Sequence, residues 1–329
     1  MSRDLLSSRP GTVLWGWLPG AVDRPVLSVE PGATVVVDTL SHQGLMRHQG
    51  RDPHAFFASL GVDAADVLDD VHALAASDLA HDPAIDGPHV VTGPIEVRGA
   101  RPGDVLAVHI EALEPRVGYG VVAPRDGGPG PEALRRVDDR SRATTEPAAP
   151  GCAFRPSLGV LGVATSDGLR RHSARTGSFG GNLDLPELGP GATLHLPVQV
   201  PGALFHVGGP RFGLRADAPG TAWDGPLRAT IRLDVVPQPR VRDWGGAGRR
   251  PFVTTPGHLV PLGLDANVDR ALELCRAQAF ALLAGRYGEP RAAARARLED
   301  AEFRIHRSGY GVHARLPLPD REPVGATAA

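Results

Sequence analysis

One phrase recurs three times in this chain: a Pro-Gly pair followed at once by an apolar, mostly unbroken run. Pro31-Gly32 leads into Thr34-Val35-Val36-Val37, Pro102-Gly103 into Val105-Leu106-Ala107-Val108, and Pro190-Gly191 into Thr193-Leu194-His195-Leu196. Pro presets φ for the first central position of a type II turn and Gly accepts the positive φ of the second, so each pair ends one segment and launches a strand. The runs alternate. Leu106, Val108, Ile110 and Ala112 fall on one face, as do Leu194, Leu196, Val198 and Val200, and again Leu227, Ala229, Ile231, Leu233 and Val235. A period of two with polar residues between marks antiparallel sheet with one buried face. Several such strands in one chain predict sandwich or barrel-like layers. Gly and Pro, 41 and 32 of 329 residues, supply the turns that such layers need.

Helices are predicted in two places. Asp52-Pro53 is an N-cap followed by Pro at the first helical position, opening a short helix that stops at Gly61; Val67, Val71 and Leu74 then recur at helical spacing within 64–76. From Asp265 to Arg286, Val268, Leu272, Cys275, Ala279 and Leu282 form an apolar stripe, and Pro290 starts a second helix with Leu298, Ala301 and Ile305 on one side. The fold class expected is therefore mainly β: two β-sandwich or barrel-like halves with a C-terminal helical hairpin. The expected parts are 1–123 with a helical insertion at 52–76, a loop-rich connection at 124–156, a second β half at 157–236, and 237–329 as hairpin plus terminal strand.

Lysine is absent: all 35 Lys+Arg positions are arginine. No Schiff-base lysine, P-loop lysine or Ser-Lys nucleophile pair can operate here. A net charge of -2 gives no general attraction for nucleic acid or anionic membrane. Cys152 and Cys275 make neither a disulfide framework nor a cysteine metal site. The N-terminus lacks an apolar signal core, and no segment approaches the ~20 apolar residues that span a bilayer. The reading is a soluble cytoplasmic protein.

Three segments hold candidate chemistry. Asp38-Thr39-Leu40-Ser41-His42-Gln43 closes an apolar strand, where side chains commonly face a cleft. His172-Ser173 precedes Gly180-Gly181-Asn182-Leu183-Asp184, in which Gly-Gly lets backbone amides approach a ligand while His172 and Asp184 offer acid–base or ligating groups. Asn182 is one of only two asparagines, although a plain hairpin turn also uses Gly-Gly-Asn. Third, Phe205-His206-Val207 empties into Gly208-Gly209-Pro210-Arg211. His42, His48 and His54 recur every six residues and share no helix face, which argues against a three-histidine metal site.

These segments also resemble the acetamidase/formamidase family of linear-amide hydrolases. His89-Val90-Val91-Thr92-Gly93-Pro94-Ile95, continuing through Gly99-Ala100-Arg101-Pro102-Gly103-Asp104-Val105-Leu106, is similar to the family block H-x-x-T-G-P-I-x-V-x-G-A-x-P-G-D-x-L. Gly159 to Ala164, His172-Ser173, Gly180 to Asp184, Glu187-Leu188, Leu196-Pro197-Val198 and Pro201 to Phe205 follow in the family's order, so the resemblance runs from about residue 12 to 318. It implies a mainly β fold with a helical portion, a homo-oligomer of two or more copies, and cleavage of formamide- or acetamide-like substrates to acid and ammonia.

The departure comes after Phe205. Where the family continues G-D-x-H-x-x-Q-G-D-G-E, this chain has Gly209 for the Asp, Arg211 for the His, Leu214 for the Gln, and an acidic run reduced to Asp217. Two readings follow. In the first, Asp38, His42, His172, Asn182 and Asp184 form the catalytic set, with Gly180, Gly181, His206, Arg211 and Asp217 binding substrate. Asp184 or His172 then activates water, with or without a divalent metal such as Zn or Ca. In the second, the protein has lost catalysis and binds a small anionic ligand or a protein partner, because Arg211 stays protonated and pairs with carboxylates rather than acting as a base. The partner expected is thus a small amide or carboxylate, with no nucleic acid and no membrane.

Overall fold

The structure, a computed structural model, describes residues 5–124, 128–137, 154–214, 221–306, 311–320 and 323–324. Two open ten-stranded sheets form the body. In the first, Ala33–Asp38, Leu227–Val236, Val105–Pro115, Thr193–Pro197, Phe252–Thr254 and His258–Gly263 lie side by side, with short terminal strands at either edge. In the second, Gly180–Asn182, Ser157–Gly162, Phe205–Leu214, Thr221–Asp224, Tyr119–Pro124 and Ala133–Arg136 follow one another, and Val90–Val97 pairs with Phe205–Leu214. The mainly β reading holds. Each sheet takes strands from both sides of the 124–156 connection. Within that connection, read from sequence as loop, Ala133–Arg136 is a strand paired with Tyr119–Pro124.

The main core lies between the sheets. Val35, Val37, Leu106, Val108, Leu194, Leu196, Ile231 and Leu233 from the first meet Ile95, Leu158, Val160, Phe205 and Val207 from the second. The expected alternation is observed through Ile110 and then slips. A register shift opposite Thr230 and Ile231 leaves Glu111 as an extra residue. Leu113, not Ala112, is the buried side chain beyond it. A bulge of one residue exchanges the two faces of a strand, which no periodicity count anticipates.

The helices follow their caps. Asp52 accepts from Ala55 N at 3.0 Å and Pro53 opens the helix Pro53–Ser59. The 64–76 segment is a 3₁₀ turn followed by the helix Asp69–Ala75, with Val71 and Leu74 buried. Asn267 accepts from Arg270 N at 2.9 Å and starts Val268–Ala281, which continues as a π-helical turn, Leu282–Arg286. Ala271, Cys275, Ala279 and Leu282 are its buried face, whereas Val268, in the first turn, is 42% exposed. The last helix is Arg291–Glu299, shorter than the stripe implied: Ile305 lies in the strand Phe303–Ile305 and is exposed. No helix among the described residues is long and apolar enough to cross a membrane.

Candidate active site

Residues from three sequence segments meet in a buried charge cluster. Arg211, on the strand Phe205–Leu214, sits directly opposite Asp224 on Thr221–Asp224. It donates through Nη1 to Asp224 Oδ1 and through Nε to Asp184 Oδ1, the latter at 2.6 Å. All three side chains are buried. The other oxygen of Asp224 accepts from Gln43 Nε2 at 3.1 Å and lies 3.9 Å from His42 Nε2. Gln43 is itself held by Gln49, whose Nε2 donates to Gln43 Oε1 at 2.7 Å and to Glu132 Oε1 at 2.6 Å.

His42 stands edge-on to His89, ring centres 6.1 Å apart, and His89 Nδ1 is 3.1 Å from Ser173 Oγ. The groups thus run in order from Asp184 through Arg211, Asp224, His42 and His89 to Ser173. Burial holds the His89 imidazole well below its ordinary pKa, and the nearby His42, Arg211 and His172 push it the same way. It is neutral at pH 7, and its burial beside these groups makes it resist taking a proton. A cavity of about 20 Å³, lined by Ser41, Gln43, Phe57, Tyr119, Asp224 and Pro226 among others, adjoins the cluster. That is room for about one water.

The other predicted site residues have different settings. Asp38 ends its strand as expected, but register places it opposite Arg228, which grips it with Nε at 2.8 Å and Nη2 at 3.0 Å. Arg116 adds a third contact at 3.3 Å while reaching Asp70 at 2.6 Å. Its carboxylate is a tie between strands. His172 is half-buried, edge-on to Trp17, and its Nδ1 accepts from Ala174 N at 3.2 Å. Burial and then Arg175 lower its pKa. Asn182 Oδ1 is buried with no hydrogen-bond partner.

Gly180 and Gly181 have φ of +88° and +93°, and their strand runs between Thr176–Gly177 and Ser157–Gly162. A Cβ on Gly180 would lie 2.4 Å from Leu161 O, and one on Gly181 2.2 Å from Arg175 O. Close approach of neighbouring chain is reason enough for both glycines. Asp184 also has a left-handed φ, +46°, as it turns into the cluster. His206 is fully buried with neither ring nitrogen hydrogen-bonded, and burial pushes its pKa down to about 3. Asp217 and Cys152 lie outside the described residues.

Sequence reasoning did not single out Asp224 or His89 as site residues, and it placed Gln43 and Ser173 within candidate segments without giving them a role. His89 opens the first family-like block and Ser173 follows His172, so both were within reach. Asp224 left a fainter signal: an acid between Trp223 and Gly225 at the end of a strand in which Ala222 and Trp223 are buried.

The arrangement does not fit a metal ion. Among the described residues no three His, Cys, Asp or Glu side chains are placed to hold one. Where Asp184 and Asp224 converge, the Arg211 guanidinium already lies between them.

The two open sheets and the C-terminal hairpin define a mainly β architecture shared with solved acetamidases. An acetamidase from Yersinia enterocolitica matches over 96% of this chain and 92% of its own, with a TM-score of 0.72 at 21% identity. One from Bacillus halodurans matches over 95% and 97%, with a TM-score of 0.67 at 20% identity. The family model described as Acetamidase/Formamidase matches residues 58–173. A Schizosaccharomyces pombe protein provisionally named a formamidase is 26% identical over 183 residues, 36% of this chain and 44% of that protein. The chain therefore spans under half the length of that relative. Over residues 58–173 the sequence is similar to that family, and over nearly the whole chain the fold is that of the solved acetamidases.

Proposed function

We propose that this protein hydrolyses the carbon–nitrogen bond of small linear amides, formamide- or acetamide-like, giving the acid and ammonia. The observation that carries the reading is the meeting of two family-like blocks: His89, from the first, lies against Ser173, from the second, 84 residues later. His42, beside Asp224, is the acid–base group. It takes a proton from the attacking water as hydroxide adds to the carbonyl carbon, then returns it to the nitrogen as the C–N bond breaks. Neutral His89, hydrogen-bonded to Ser173, holds the second imidazole position, and Arg211 offsets part of the negative charge of the two carboxylates. Assembly as a homo-oligomer and a cytoplasmic location belong to the same proposal.

One observation favours a second reading, a family member impaired in catalysis. Arg211 engages both carboxylates, so neither is a free base. The same bonds weaken the idea that Arg211 awaits an anionic ligand, since Nε and Nη1 are already occupied. Ammonia release from formamide, acetamide and longer amides separates the readings. The hydrolase reading expects turnover that His42→Ala lowers by about 10²–10⁴. Folded protein with no turnover above buffer sinks it and leaves the impaired reading.

A further inference from the structure

Residues 41–50 leave the first sheet as a tight loop. Leu45 N donates to His42 O at 3.1 Å, Gly44 takes a φ of +84°, and the turn Arg47–Gln49 closes the loop. It carries two amides inward, Gln43, which is buried, and Gln49, which is half-buried. With Glu132 they form an unbroken hydrogen-bonded chain from a partly exposed carboxylate to the buried one of Asp224. Glu132 is joined at its outer end by His48, 3.5 Å away.

Each amide in this chain can sit only one way. Gln49 Oε1 accepts from Gly44 N at 2.7 Å and from Met46 N at 3.4 Å, and a backbone N–H can only donate. Gln49 Nε2 is thereby turned to Glu132 at 2.6 Å, a carboxylate that only accepts, and to Gln43 at 2.7 Å. The Gln43 atom it meets has to be the oxygen. Gln43 Nε2 then faces Asp224 Oδ2 at 3.1 Å, a second group that only accepts. Donors and acceptors agree from one carboxylate to the other. The same Gln43 Nε2 lies 3.3 Å from His42 Nε2. An amide nitrogen donates and does not accept, so the ring nitrogen it meets must be the unprotonated one.

We propose that Gln43 is a positioning residue that holds His42 as the Nδ1–H tautomer, its Nε2 bare, and that Gln49 acts through Gln43 by fixing the sense of its amide. A bare Nε2 is what an acid–base histidine needs. It lies 3.9 Å from Asp224 Oδ2, whose charge favours the imidazolium once a proton arrives. The 3.3 Å contact is long and therefore weak, so Gln43 yields when Nε2 is protonated. On its other side His42 faces only the edge-on His89 ring, and Arg211 lies behind Asp224. As a device for catalysis this rests on the proposed function, whereas the tautomer is read without substrate.

Nitrogen-15 NMR of the full chain, labelled in histidine and with His42 assigned by the signals lost in His42→Ala, tests it. The unprotonated nitrogen of His42 should correlate with both carbon-bound ring protons, the pattern of the Nδ1–H form. Gln49→Glu still accepts from Gly44 and Met46 but cannot donate to Gln43. The Gln43 amide should then turn its nitrogen to the new carboxylate and its oxygen to His42, moving the ring proton to Nε2. Gln43→Met is similar in length and removes the donor altogether. It should raise the ratio of Nε2–H to Nδ1–H about fivefold, the value of one hydrogen bond. An Nε2–H tautomer in the parent protein overturns the inference, and so does an unchanged tautomer ratio in either folded variant. Absence of ammonia release would sink the hydrolase reading alone and leave the tautomer result standing.

Discussion

Arg211 carries a demanding prediction, because one buried cation serves two buried acids. Arg211→Met keeps an unbranched side chain and removes the guanidinium, depriving Asp184 and Asp224, which are 4% and 2% exposed, of the cation they share. Breaking a buried pair by deleting one partner costs about 3–5 kcal/mol, and here two carboxylates lose the same cation, so the expected loss is about 5 kcal/mol. At about 2 °C per kcal/mol for a chain of this size, the midpoint of thermal unfolding at pH 7 should fall by about 10 °C. The control is Arg98→Met, which breaks an exposed pair with Glu30 and should leave the midpoint in place. The decisive comparison adds Asp184→Asn and Asp224→Asn to Arg211→Met. If stranded charge causes the loss, the triple variant regains half of it or more. An equal deficit in single and triple variants would refute the reasoning and assign the effect to packing.

Acid should weaken the fold through its buried histidines. His206 and His306 have pKa values pushed down to about 3 by burial, against about 6.5 in an unfolded chain. Between those values the unfolded chain binds protons that the folded chain refuses, so stability falls as pH falls, by about 1.4 kcal/mol per pH unit for each histidine. Thermal midpoints measured from pH 7 to pH 5 should show this slope, and His306→Gln should reduce it by one histidine's share, since His89, His109, His195 and His206 contribute in the same direction; an unaltered slope would contradict the assignment. Gly181→Ala meets both a φ of +93° and a backbone oxygen 2.2 Å from the new carbon, and should cost about 1–3 kcal/mol or more in urea unfolding. An unchanged urea midpoint would show that the glycine is not needed for chain approach.

What the sequence made legible was local. Pro-Gly turns, the alternation of Leu194 to Val200, and the Asp52 and Asn267 caps each depend on a few neighbouring residues. The bulge at Glu111 also looks local, but it is set by pairing with Leu227–Val236, which the strand's own residues do not encode. The cluster shows the same limit. Arg211 stood out as a departure from the family pattern, yet its partner Asp224 follows only from the register between two strands. Asp38 looked like a cleft residue because it ends a strand. It became a tie because Arg228 and Arg116 arrive from elsewhere in the chain.

The interleaving of the two sheets sets the order in which this molecule can come into being. Asp38 meets Arg228 across 190 residues of chain, so its sheet cannot close until most of the polypeptide exists. Long loops must be closed before such pairings return any free energy, and folding should therefore be slow, late and all-or-none for the body as a whole. A ribosome-bound fragment ending before residue 205 lacks central strands of both sheets. Its apolar strand faces would be bare until the remainder emerges, which makes the nascent chain a natural client for holding chaperones.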